Sequence, residues 1–235
     1  YYRLTSISSP VRCGPMALKI KFGVLLTQCG EPIENGELII EEGDIVAISS
    51  SPTEREAEET LDLSDHLLMP GFINAHSHLG LTALEKKLSP AKTFASWIGD
   101  LIPLNAALSD EERIRGIRMG ADEMKASGVT GLADYVADPA LLESIIDLGF
   151  RSILFLETIG FQEDKAAVIA EEVEAIIKTH AANCNLGIAP HAPYSVSAKL
   201  WQHLDQLAKK YECLLSTHLA ETDEEVQFIE KGGGP

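Results

Sequence analysis

Two kinds of hydrophobic spacing divide the chain. Through residue 66 the apolar residues come in short, β-branched runs separated by turn residues. Leu18–Leu26 reads as one strand. Glu37–Glu41 and Asp44–Ser49 read as a hairpin across Glu42 and Gly43, with Ile39, Ile40, Ile45, Val46 and Ile48 supplying the β-branched positions. Ser50–Glu59 is polar and predicts a loop, and Thr60–Leu63 predicts a last short strand. From Leu67 the pattern changes to short apolar strands alternating with amphipathic helices, which argues for parallel β–α–β units. Leu67–Ile73, bent at Pro70 and Gly71, reads as a buried strand. Ser109–Glu112 is a capping box opening a helix with Ile114, Ile117, Ala121 and Met124 on one face, and Gly128 ends it. Strands over Val129–Tyr135, Arg151–Glu157, Asn185–His191 and Cys213–His218 come next. Their helices cover Ala140–Leu148, Lys165–His180, a segment capped by Ser197, and Thr222–Lys231.

The strand that begins at Leu67 runs into His76 and His78, with one residue between them. In an extended segment alternate side chains point the same way, so both imidazoles can face one point and hold a cation from one side. The plain alternative is a surface loop with two unrelated histidines.

Composition narrows the field. The chain has 235 residues, 45% hydrophobic and 23% charged, enough for one large domain or a domain plus a small one. No apolar run approaches the roughly 20 residues of a membrane helix. Lys and Arg number 19 against 36 Asp and Glu, a formal charge of −17, which disfavours nucleic acid and anionic membranes as partners. Cys13, Cys29, Cys184 and Cys213 show neither CxxC spacing nor a disulfide framework, as expected of a cytoplasmic protein. The chain opens on Tyr1, with Met16 as a natural start further on, and ends in a Gly-Gly-Gly-Pro turn just after a helical segment.

The string Pro70–His78, PGFINAHSH, resembles the first-strand signature PGF-(I/V)-(N/D)-x-H-x-H of the amidohydrolase superfamily. The resemblance implies an α/β fold: a TIM-like (β/α)8 barrel whose first five strand units lie within residues 67–235. Residues 1–66 would then be the N-terminal part of a small β-sandwich. On that fold the active site lies at the C-terminal ends of the strands. Four of the seven histidines fall there: His76, His78, His191 and His218. His66, His180 and His203 read as structural or solvated.

His218-Leu219-Ala220-Glu221 matches the H-x-x-E of the superfamily's metal-dependent deaminases, and Pro190–Tyr194 resembles a P-H-x-P-Y string whose histidine touches substrate in that branch. The resemblance implies a metal-dependent deaminase of a small purine- or nucleoside-like heterocycle. His76, His78 and His218 would hold one divalent ion, Zn²⁺ or Fe²⁺, and Glu221 would be the acid–base catalyst. His191 and Trp97 would bind substrate. The remaining ligand, an aspartate after the eighth strand, would lie beyond Pro235, so the barrel is expected to be incomplete in this stretch. Asn185–Tyr194 has no lysine, which disfavours a binuclear site bridged by a carboxylated lysine. Glu157 ends its strand as a polar terminus or substrate contact in preference to a carboxylate bridge, and Asp134 reads as a turn residue in preference to one that orients a neighbour. Barrels of this family often pair, so a homodimer is one expected assembly. The rival readings are a chlorotriazine-type dehalogenase or cyclic amide hydrolase of the same superfamily, and an inactive, truncated metal-binding homologue.

Overall fold

The computed structural model describes residues 17–91 and 93–232. The readings made for residues 1–15, Cys13 among them, for Met16 and for the terminal Gly-Gly-Pro lie outside this range. The chain packs as two compact units, one through Gly71 and one from Phe72 onward.

In the first unit β1 (Leu18–Leu25) pairs antiparallel with β2 (Ile33–Glu41), and β2 pairs antiparallel with β3 (Asp44–Ser49). Glu42 and Gly43 join β2 to β3 with φ of 52° and 86°, the two positive values that a tight hairpin turn of matching twist requires. β4 (Glu59–Leu68) lies parallel to the free edge of β1 and completes a four-stranded sheet of order β3-β2-β1-β4. Phe22, Leu25 and Leu38 form its buried cluster. β4 is longer than the expected Thr60–Leu63, because its backbone runs beside β1 as far as Val24↔Leu67 and Leu25↔Leu68. Leu67 and Leu68 therefore finish the small sheet instead of opening the next strand.

The second unit is a parallel sheet of order β5-β6-β7-β8-β9: β5 (Phe72–Ser77), β6 (Val129–Val136), β7 (Arg151–Thr158), β8 (Asn185–Pro190) and β9 (Leu214–Leu215). Successive strands are neighbours, the winding of a barrel rather than of a sheet that reverses its strand order midway. The connections carry α1 (Phe94–Ala106), α2 (Asp110–Ala126), α3 (Leu142–Ile146), α4 (Ala166–His180) and α5 (Ala198–Tyr211), and α6 (Asp223–Lys231) comes after β9. Ser109 and Ser197 accept backbone N–H bonds at the starts of α2 and α5, as their positions before the apolar spacing predict, and Thr222, expected as the first helical residue, caps α6 in the same way. Side chains alternate along each strand. Leu132, Leu154, Leu156, Leu186 and Ile188 pack with Ile117, Val173, Ile177, Leu200 and Leu204 of the helices, while Tyr135, Phe155 and Ala189 cluster separately.

Two expectations change. β5 is not buried: Phe72 and Ile73 are 55% and 76% exposed, because β5 pairs only with β6 among the described residues. β9 shrinks from the expected Cys213–His218 to two residues for the same reason, its only described partner being β8.

A single carboxylate holds the segment after β5 in place. Beyond His78 the chain makes a 3₁₀ turn, Leu79–Leu84, packed so closely on α2 that a Cβ on Gly116 would stand 2.5 Å from the Ala83 nitrogen. Asp134, at the end of β6, is fully buried, so of its two readings the orienting residue holds and the turn residue does not. Its Oδ1 accepts from the Ser77 hydroxyl at 2.7 Å and the Leu79 N–H at 2.8 Å, the residues on either side of His78. Burial pushes its carboxyl up to about 6, against the opposing pull of those two bonds. Folding thus favours the protonated form. The stability this contributes is full below pH 3.8 and is lost as pH rises through about 6. Asp134→Ala, which leaves the buried Leu79 N–H without its acceptor and the Ser77 hydroxyl with only the Ala133 carbonyl, should lower stability in urea titration by about 1–3 kcal/mol. Asp134→Asn should lose less and should lack the wild-type decline between pH 4 and 6. An Asp134→Ala variant as stable as wild type would contradict this role.

Candidate functional site

Three imidazoles meet at the C-terminal end of this sheet. Asn74 Oδ1 accepts the His76 N–H at 3.2 Å and holds the end of β5 as it turns. Beyond β9 the chain continues beside β8 without strand geometry: Ser216 N–H donates to the Ile188 carbonyl and His218 N–H to the His191 carbonyl, at 3.1 and 2.8 Å. This brings His218 across from β5. The His76, His78 and His218 rings lie 5.0–5.3 Å apart, centroid to centroid, and each offers a ligand nitrogen within 4.8 Å of the others.

The spacing suits a tetrahedral cation. The Nε2 atoms of His78 and His218 are 3.3 Å apart. Two imidazole nitrogens sharing a zinc at 2.0–2.1 Å stand about 3.3–3.4 Å apart. The protonation states suit it too. Burial, then the charges of His218, His76 and His191, hold His78 down at about 4. Burial and then His218 depress His76 and His191 as well. Neutral imidazole is the form that ligates a metal. Tyr135 packs against the group with its ring tilted, 4.4 Å from His76, 5.4 Å from His78 and 5.3 Å from His218, and its hydroxyl bonds to Ser216.

His191 sits beside this cluster, its ring 5.0 Å from that of His218. Its N–H donates to the Thr158 carbonyl, and its Nδ1 bonds the Ser195 hydroxyl at 2.7 Å, which leaves Nε2 for another partner. Glu221 lies on the loop into α6. Its negative charge acts on His76, Glu157 and Tyr194, so its carboxyl stands within electrostatic reach of the cluster. That loop is strained, with Ala220 at φ 54°. Buried Glu225 braces it: one carboxylate oxygen accepts from Ala220 N–H at 3.1 Å, the other from Glu221 N–H at 2.8 Å. Trp97 lines a different space. With Thr93 and Phe94 it forms one wall of an open cavity of about 450 Å³ whose other wall is Thr222, Asp223 and Glu224, next in sequence to Glu221.

Sequence spacing did not single out Tyr135 or Glu225, and it read Glu157 as a strand terminus or substrate contact in preference to a carboxylate bridge. Glu157 shares a strand face with Phe155 and has a ligand oxygen within 4.8 Å of those of His191 and His218. Burial, then the charges of Asp134 and Glu221, push its carboxyl up to about 7. The available signal was parity: one residue after a strand-terminal acid on β6, or two after an apolar residue on β7, a side chain turns toward the same end and face as the histidines.

The chain is similar to known proteins over most of its length. The chain is 28% identical over 220 residues to the 5-methylthioadenosine/S-adenosylhomocysteine deaminase of Bacillus cereus (strain AH820), a match covering 88% of this chain and 50% of that protein. It thus spans about half the length of the curated relatives it matches. Among solved structures it resembles the Helicobacter pylori aminofutalosine deaminase in complex with methylthio-coformycin, with a TM-score of 0.79 at 23% identity over 92% of this chain and 54% of that one. It also resembles an adenosine deaminase from Xanthomonas campestris with bound zinc, with a TM-score of 0.76 at 23% identity over 94% of this chain and 54% of that one. The model of the amidohydrolase family matches residues 67–234, most of the chain, and the chain belongs to that family.

Proposed function

We propose that this chain carries the metal-binding half of a hydrolase that removes an amino group from a purine- or nucleoside-like heterocycle. The observation that carries the reading is the convergence of His76, His78 and His218 with a His-x-x-Glu loop that holds Glu221 beside them. Relatives named as deaminases of adenosine-type compounds support deamination over dehalogenation or cyclic amide opening. On this reading the five parallel strands, which begin at Phe72, are the first five of an eight-stranded barrel. The four-stranded sheet that ends at Leu68 belongs to a β-sandwich completed by another segment of the protein. The exposed apolar side chains of β5 and β9 support this, since a closing barrel would cover them.

The three histidines would hold one divalent ion, zinc in preference to iron, given the all-nitrogen donors and the zinc named in the Xanthomonas structure. Such an ion, when bound, lowers the pKa of a coordinated water toward neutrality and so makes hydroxide available at the site. Glu221 takes the proton that the attacking water gives up and delivers it to the ring nitrogen next to the carbon under attack, so that negative charge does not build on the ring. His191, its Nδ1 committed to Ser195, presents Nε2 to the substrate and orients it. Trp97 covers the substrate from the neighbouring cavity. Depressed imidazole pKa values keep protons from competing with the ion near neutral pH.

Chelation should abolish ammonia release from purine nucleosides by the full-length protein, and added Zn²⁺ should restore it; turnover that survives complete metal removal would overturn the reading. Glu221→Gln should cut kcat by about 10²–10⁴-fold, the usual contribution of a positioned acid–base group, with bound zinc unchanged. Full turnover by Glu221→Gln at neutral pH would remove Glu221 from this role.

A further inference from the structure

The His191 carbonyl is overcommitted. It faces three donors: His218 N–H at 2.8 Å, the Thr217 hydroxyl at 3.1 Å and His218 Nδ1 at 3.1 Å. A carbonyl oxygen has two lone pairs. The Thr217 hydroxyl has a second acceptor, the His218 carbonyl at 3.2 Å, but the backbone N–H does not give way. With the proton on Nδ1, the His218 ring shares the His191 carbonyl with that N–H at 3.1 Å, the longer of the two contacts. On its other side stands Glu157 Oε1, 3.8 Å from the same Nδ1. Both side chains are only 8% exposed, and Glu157 Oε1 is buried with no hydrogen-bond partner among the described residues. A buried carboxylate oxygen without a donor is costly, and the ring nitrogen of His218 is a donor within reach of it.

The arrangement has a direction. His218 offers Nε2 toward His78 and Nδ1 toward Glu157. A metal on Nε2 requires the proton on Nδ1, and a carboxylate on the Nδ1 side fixes that tautomer and makes Nε2 a stronger donor to the ion. Resting on the three-histidine reading of the metal site, we infer that Glu157 is a positioning residue for His218: its carboxylate shares the Nδ1–H with the His191 carbonyl and thereby tightens metal binding at Nε2. Glu157 reaches across from β7, which provides none of the three ligands, and ties that strand's end to the centre.

The test is Zn²⁺ affinity of the full-length protein, by competition with a chromophoric chelator, beside the melting temperature of the metal-free form. Glu157→Leu should weaken Zn²⁺ binding by about 10–100-fold. Glu157→Gln, which keeps an acceptor but loses the charge, should fall between that and wild type. The metal-free melting temperature should hold or rise in both, since an unpartnered buried carboxyl has been removed. Affinity within about threefold of wild type in Glu157→Leu, well short of the usual loss for such a partner, overturns the inference while leaving the three-histidine site standing. So does a metal-free melting temperature that falls in step with affinity, which would mark Glu157 as a packing residue. If wild type itself binds no zinc, or binds it undiminished after His78→Asn, the three-histidine reading fails and this inference with it.

Discussion

The bond from Asp134 to the residues on either side of His78 is the constraint on which the site depends. β5 is an outer strand with little packing of its own, and its register against β6 shifts between Asn74 and Ser77. Left to strand pairing alone, the end of β5 would be free to fray. One carboxylate oxygen from the neighbouring strand fixes both the Ser77 side chain and the Leu79 backbone. Between those points the direction of His78 is set, and with it the 3.3 Å approach to His218. The cost is a carboxyl buried far from water, which a hydrogen-bonded tie in a dry interior can offset but not erase.

Around this tie the site is built from groups that disfavour one another's charge. Burial and the charge of His218 hold His76, His78 and His191 toward their neutral forms, while burial and the charges of Asp134 and Glu221 raise Glu157. His76, His78 and His191 therefore lean neutral, and buried Asp134 and Glu157 lean toward their protonated forms. A divalent cation at the three nitrogens reverses the second tendency without opposing the first, since it favours neutral imidazole as ligand and ionised carboxylate as neighbour. One ion thus suits both halves of the polar network.

The sequence carried the local features well. Caps at Ser109 and Ser197 and the strand–helix alternation are written in neighbouring residues, and the structure has them where the spacing puts them. The His-x-His and His-x-x-Glu strings placed the histidines at strand ends, and the fold brings them together. Features that depend on distant partners were not legible. Leu67 and Leu68 join the small sheet because β1 runs beside them, which no local signal states. Asp134 looked like a turn residue because an acid at a strand end is usually solvated; only the packing of the turn after His78 buries it. Glu225 is one of three consecutive acids opening α6, and only the strained loop at Ala220 shows why that one turns inward.

The central claim is that His76, His78 and His218 form a single cation site. Zinc-edge anomalous diffraction from crystals of the zinc-loaded protein tests it most directly. The account predicts one strong anomalous peak among the three imidazoles, about 2.0–2.1 Å from each ligating nitrogen. No peak there, or a peak held by other residues with these three left aside, would contradict it.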